Sequence, residues 1–155
     1  MADVKSTVDS EDLKTMAGGT ILVSATLPAT NDGAGYAALT FTEIGGASDL
    51  PSVGGSANVV SFDLLSTGYT TKKKGQKQFG AGSFNYATVA ADAGQVLMTA
   101  AAASQDAYAF KILYNDASID YVSGIVMGVP KTNGTADTVQ VSAASVEWIS
   151  EVVSA

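Results

Sequence analysis

Apolar residues recur at every second position through most of this chain, in short runs broken by glycine, proline, asparagine and aspartate. A two-residue period places alternate side chains on opposite faces of an extended backbone, so such runs specify strands with one face toward a core. Ile21, Val23 and Ala25 alternate with Thr20, Leu22 and Ser24, and the run ends at Pro28 and the turn-forming Asn31-Asp32-Gly33. A second strand is predicted from Ala38 to Ile44, with Leu39 and Phe41 on one face, stopped by Gly45-Gly46. Val60, Phe62 and Leu64 mark a third, and Phe84, Tyr86 and Thr88 another. Tyr108, Phe110, Ile112 and Tyr114 lead into Asn115-Asp116, a tight-turn signal. The return strand carries Ile119, Tyr121, Ser123, Ile125 and Met127 on one face and Val122 and Val126 on the other, which predicts cover on both sides. After a loop from Pro130 to Asp137, a last strand opens with Val139 and Val141 and shifts phase to Val146 and Trp148. That shift predicts a bulge near Ala143-Ala144.

One segment departs from the two-residue period. Asp92 is a candidate N-cap, and Gln95 stands three residues on, where a capping-box partner belongs. The alanine-rich run that follows favours helix over about 92–104, with Val96, Leu97, Ala100 and Ala101 as its apolar stripe. Seven or eight antiparallel strands and one helix predict a mainly β fold: an antiparallel β-sandwich or flattened barrel with one flanking helix. Residues 19–155 make a single domain of ordinary size. Residues 1–18 form a polar, acidic arm, either a disordered tail or a segment that orders on a partner. The Gly/Ser-rich stretch from Ala47 to Asn58 predicts a long loop, and structureless connections of that length are usually functional or mobile.

Function is narrowed first by what the chain lacks. It contains no histidine, cysteine or arginine. These are the usual proton shuttle and commonest metal ligand, the thiolate donor, and the bidentate phosphate clamp. Without histidine a serine nucleophile has only lysine as its base, and no G-x-S-x-G elbow or S-x-x-K spacing occurs. Paired acids such as Asp116 and Asp120 sit in or beside a hairpin turn, where solvated carboxylates are ordinary. No calcium-loop pattern surrounds Asn31-Asp32 or Asn115-Asp116. No catalytic, cofactor-binding or metal-binding residue is assigned. Eight lysines against fifteen carboxylates leave a net charge of -7, a sign that repels nucleic acid. No run approaches the ~20 apolar residues that span a bilayer, and Met1-Ala2-Asp3-Val4-Lys5 does not open a secretory signal.

The lysines are unevenly placed. Lys72, Lys73, Lys74 and Lys77, half of the chain's eight, fall between Tyr69 and Lys77. Either they guard a solvated edge strand against unwanted pairing, or they form a basic patch that meets the acidic surface of another copy. Under the second reading these four, with Asp49 and Pro51 of the long loop, are the candidate inter-subunit contacts.

The order of several blocks carries a family resemblance. Ser24-Ala25-Thr26-Leu27-Pro28-Ala29-Thr30 and Gly35-Tyr36-Ala37-Ala38-Leu39-Thr40-Phe41-Thr42-Glu43-Ile44-Gly45 come first. The lysine-rich strand ending in Lys74-Gly75, the helix start Ala91-Asp92-Ala93-Gly94-Gln95 and Lys131-Thr132-Asn133 follow. From about Gly19 onward this sequence resembles the major tail tube proteins of long, non-contractile-tailed bacteriophages. It departs from them at Ala90, where members often carry proline, and in its longer polar arm. The resemblance implies a non-enzymatic virion protein, made in the host cytoplasm and built into the tail. Its hexameric rings would stack around a tape measure protein, meet tube-end proteins, and conduct DNA without binding it specifically. Two other classes fit the composition: a small β-sandwich module for sugars or peptides, and a ring protein of a bacterial secretion tube.

Overall fold

The computed structural model describes residues 13–155; the first twelve residues of the predicted arm lie outside the described residues. In chain order the elements are β1 (Thr20–Ser24), α1 (Gly33–Ala37), β2 (Thr42–Glu43), β3 (Ser56–Asp63), β4 (Thr70–Gln78) and β5 (Ala81–Ala87). Then come α2 (Ala93–Ala103), β6 (Tyr108–Leu113), β7 (Ile119–Gly128), β8 (Lys131–Thr132), β9 (Val141–Trp148) and β10 (Val153–Ser154). Eight strands form one antiparallel sheet along the path β2-β1-β6-β7-β9-β5, with β10 beside β7 and β8 beside β9. The remaining two, β3 and β4, pair only with each other. The architecture is the mainly β, sandwich-like arrangement with a flanking helix that the alternation predicts; the sheet does not close into a barrel.

The main core follows the two-residue period closely. Ile21 and Val23, Phe110 and Ile112, Val122 and Val126, Phe84 and Tyr86, and Ala144, Val146 and Trp148 converge from five strands, and Met98 and Ala101 of α2 join them. The helix starts where its cap predicts, since the Asp92 carboxylate accepts the Gln95 N–H at 3.1 Å. Its buried side differs from the predicted stripe. Gly94, Gln95, Met98 and Ala101 are buried, Leu97 packs at the margin, and Val96 and Ala100 face outward. Gly94 sets this rotation: a Cβ there would collide with the Glu43 carbonyl and the Ile44 Cα. The helix therefore lies with its own backbone against β2.

On the opposite side of β7 a smaller cluster covers the sheet, as the apolar residues on both faces of that strand predict. Tyr36, Ala109 and Tyr121 are its buried centre, flanked by Leu39, Phe41, Ile119 and Val153. The Tyr36 and Tyr121 rings stack 5.1 Å apart, and the Tyr36 hydroxyl lies 2.7 Å from the Ser123 hydroxyl. Tyr36 is delivered by α1, which the sequence does not predict. Asp32 caps this helix by accepting the Gly35 N–H at 2.7 Å, so the expected turn continues into a helical segment. The expected strand from Ala38 to Ile44 is correspondingly reduced to Thr42–Glu43, while Leu39 and Phe41 spend their side chains on the second cluster.

Two further expectations are corrected. The β9 strand alternates without interruption, burying Ser142, Ala144, Val146 and Trp148, and Val139 lies outside it, exposed. The irregularity belongs to its partner: β7 shifts register between Val126 and Gly128, so the extra residue is Met127. In the predicted 130–137 loop, Lys131 and Thr132 pair with Val141 and Ser142 as β8.

Gln95 is the polar centre that ties the helix to the sheet. Its amide does not complete a reciprocal capping box. Its Oε1 instead accepts the Val89 N–H at 2.7 Å, and its Nε2 donates to the Gly45 and Ala87 carbonyls at 2.9 and 2.8 Å. Asp92 adds a bond from the Gly45 N–H at 3.1 Å. Gln95→Ala removes the partner of three part-buried backbone groups, and we expect a loss of about 1–3 kcal/mol of stability. Asp92→Ala, which removes a helix cap and one loop bond, should cost about 1–2 kcal/mol. Urea denaturation checks both as lower midpoints at an unchanged m value.

Candidate assembly surface

The β3–β4 ribbon is the part of the molecule that its own chain leaves unfinished. Val60 lies opposite Lys73, Phe62 opposite Thr71, Ser61 opposite Lys72 and Asp63 opposite Thr70. Residues directly opposite share a face in an antiparallel pair. One face therefore carries Val60, Phe62, Thr71 and Lys73, and the Leu64–Tyr69 backbone bond of 3.1 Å continues it toward the tip. The other carries Val59, Ser61, Asp63, Thr70, Lys72 and Lys74, with the Thr70 hydroxyl donating to Asp63 at 2.7 Å. A register shift between Ala57 and Val59 puts an extra residue on β4. Gly75 sits in this bulge, where a Cβ would meet Val60 Cγ2 at 2.7 Å.

Both faces are open to solvent. Phe62 and Tyr69 are 69% and 77% exposed, Val59 is 68% exposed, and Leu65 at the tip is fully exposed. No other strand pairs with the outer edges of β3 or β4 among the described residues. At one end of the main sheet the chain covers its own edge. The free edge of β5 is covered by the loop after β2, through an Ala47–Tyr86 bridge and a 2.9 Å bond from the Ser48 N–H to the Asn85 carbonyl.

The sequence-predicted contact residues divide between these two situations. Lys72, Lys73 and Lys74 are exposed on the ribbon, with no ion pair among the described residues. Lys77 donates to Glu151 of the same chain at 2.7 Å, and this hydrogen bond and the ammonium charge lower the Glu151 pKa in a solvated pair. Asp49 accepts the Asn85 N–H at 2.6 Å, and Pro51 is buried. The loop that holds these two ends at Gly55, because β3 begins at Ser56. Trp148 anchors it by donating its indole N–H to the Ser52 carbonyl at 2.9 Å.

Sequence reasoning missed a cleft along the middle of this loop. Lys14, Met16, Leu50, Pro51, Val53, Tyr114, Ile119 and Asp120 line a space of about 640 Å³. Lys14 pins one wall: its ammonium lies 3.3 Å from Asp116, 3.1 Å from the Ser118 hydroxyl and 4.2 Å from the Tyr114 ring centre. Hydrogen bonds from the Ser118 hydroxyl and N–H, with the nearby Lys14, hold the Asp116 carboxyl down at about 2. Burial, then the bond to Asp120, pushes the Tyr114 phenol up to about 12. Among the described residues no three histidine, cysteine or acidic side chains are placed to hold a metal, and no helix is long and apolar enough to cross a membrane.

No family model matches the sequence, and no curated protein is similar to it. Solved structures are similar in fold. A chain from the sheath/tube terminator of PVC, an extracellular contractile injection system, superposes with a TM-score of 0.68 at 12% identity, covering 95% of this chain and 99% of that one. The SPP1 tail tube gives 0.63 at 14% identity, with 88% of this chain and 75% of that one covered. The tail of an empty GTA particle, refined with C6 symmetry, gives 0.59 at 12% identity over 85% and 92%. The fold is that of tail tube proteins.

The tail-tube fold thus carries, in this chain, one exposed apolar and basic ribbon and one pinned, partly acidic cleft. The pin has a stated acid limit. Asp116 is held below its ordinary value, so its favourable contribution is complete near pH 5 and disappears as pH falls through about 2. An NMR titration should place the Asp116 carboxyl midpoint near 2 and show it rising toward the usual carboxylate range in Ser118→Ala.

Proposed function

We propose that this protein is the structural subunit of a tail tube: copies form hexameric rings, the rings stack, and the resulting channel conducts a genome. The β3–β4 ribbon is the observation that carries this reading. An isolated two-stranded ribbon is marginal in water, so one that presents Val60, Phe62, Leu65 and Tyr69 to solvent needs a surface supplied by another molecule. The fold supports a tube subunit as that molecule, since the similar structures are chains of multi-subunit tubes.

Magnitudes assign the ribbon's residues their roles. Burying a Phe, Leu or Val side chain contributes about 1.5–3 kcal/mol, whereas an exposed ion pair contributes about 0–1 kcal/mol. The apolar residues therefore supply the adhesion, and Lys72, Lys73, Lys74 and Lys77 set orientation and speed encounter. The ribbon holds four lysines and one carboxylate, leaving four lysines and fourteen carboxylates elsewhere. Ribbon and body thus attract one another between copies. The same excess of carboxylates suits a wall past which DNA slides without adhering, with charge acting over about 8 Å at physiological ionic strength. In a virion the rings would surround a tape measure protein and end on dedicated tube-end proteins, in a tail of the non-contractile kind the sequence resembles. Catalysis has no place in this reading.

Replacing Lys72, Lys73, Lys74 and Lys77 by glutamate tests it. Concentrated wild-type protein should give rings or hollow cylinders in negative stain, and the reversed variant should remain monomeric with an unchanged circular dichroism spectrum. Normal cylinders from the variant would contradict the role given to the lysines; a wild-type protein that stays monomeric at every concentration would contradict the tube.

A further inference from the structure

The exposed ribbon needs a surface, and the cleft beside Lys14 offers one of matching composition and charge. We propose that the cleft formed by the amino-terminal segment, the loop before β3 and the β6–β7 turn is the socket for the β3–β4 tip of a second copy. This rests on the tube-subunit reading. Met16, Leu50, Val53 and Ile119 give the cleft an apolar floor that matches Leu64 and Leu65 at the ribbon tip. Its rim is acidic. Asp120 lines it and Asp49 lines the adjoining hollow that shares Met16 and Leu50, while the ammonium of Lys14 is paired with Asp116. An incoming ribbon brings Lys72, Lys73 and Lys74 to that rim.

The ribbon does not fill the cleft of its own chain. Strand β3 is eight residues long and leaves the body only a few residues after Val53, which lines the cleft. At about 3.3 Å per residue its tip stands on the order of 25 Å from its base. A strand-paired ribbon cannot double back over that length. Tip and socket are different patches of one chain, so each copy offers one of each. Such a head-to-tail contact closes into a ring or propagates as a stack according to the rotation it imposes. The acids Asp49 and Asp120 and the buried Pro51 then belong to the socket wall, and the lysines to the plug. This gives the two halves of the predicted contact set complementary positions.

A chain without cysteine makes the contact directly measurable, because introduced thiols are the only ones present. Ser52 borders the cleft with an exposed side chain, and its carbonyl, which holds Trp148, is untouched by Ser52→Cys. Leu65→Cys places a thiol at the tip. Each variant is assembled alone and as a 1:1 mixture, then treated with oxidant or a short bis-maleimide, with thermal melting as the check on folding. We expect several-fold more cross-linked dimer in the mixture than in either variant alone, and a ladder of multimers from the doubly substituted chain. Dimers of Leu65→Cys alone at the level of the mixture would mean that tips meet tips and would overturn the socket. Rings or cylinders that form without any cross-link would overturn the socket and leave the tube standing. Failure of the unsubstituted protein to assemble under any condition would remove the tube reading itself, and this inference with it.

Discussion

Backbone pairing organises this molecule, and the β3–β4 ribbon is where pairing stops short. Every strand edge carries N–H and C=O groups that must find partners or remain in water. Along the long strands of the body they are satisfied within the chain: β7 is flanked by β6, β9 and β10, and β5 by β9 and a loop. In the ribbon they are satisfied on one side only. The exposed apolar side chains on the same two strands mean that water is a poor partner for the ribbon as a whole. A surface of that kind is costly to an isolated molecule and useful to an assembling one.

The rest of the fold makes that arrangement possible by being firmly tied together. Gln95 and Asp92 bind α2 to the loop after β2 and to the end of β5, and every buried side-chain nitrogen or oxygen among the described residues has a partner. The Phe110–Trp148 edge contact at 5.6 Å and the bond from Trp148 to Ser52 fix the base from which the ribbon departs. With no histidine or cysteine, no side chain has its ordinary pKa between about 5 and 8.

Legibility in the sequence followed the size of the residues. Where large apolar side chains alternate, as at Phe110, Ile112, Val122 and Val126, strand and face were both readable. The double cover of β7 was visible because Tyr121 and Val122 are adjacent and both too large to leave exposed by chance. Where small residues dominate, the signal failed. Ala144 and Ser142 are buried in β9 but do not look apolar enough to hold the phase, which moved the bulge from Met127 onto the wrong strand. Gly33-Ala34-Gly35 has poor helix propensity, so α1 was invisible until the Asp32 cap and the Tyr36 anchor were seen together. In α2 the ranking by hydrophobicity favoured Val96 over Gly94, although the close approach to β2 admits only glycine. The lysine cluster was legible as a feature, while the cleft beside Lys14 was not, because it joins residues about a hundred positions apart.

Hydrogen exchange of the β3 and β4 amides measures the central claim most directly. In dilute, monomeric protein these amides should exchange orders of magnitude faster than those of β6 and β7, and on assembly they should become as protected as the body. Equal exchange of the ribbon in monomer and assembled protein, with protection gained elsewhere instead, would contradict the account.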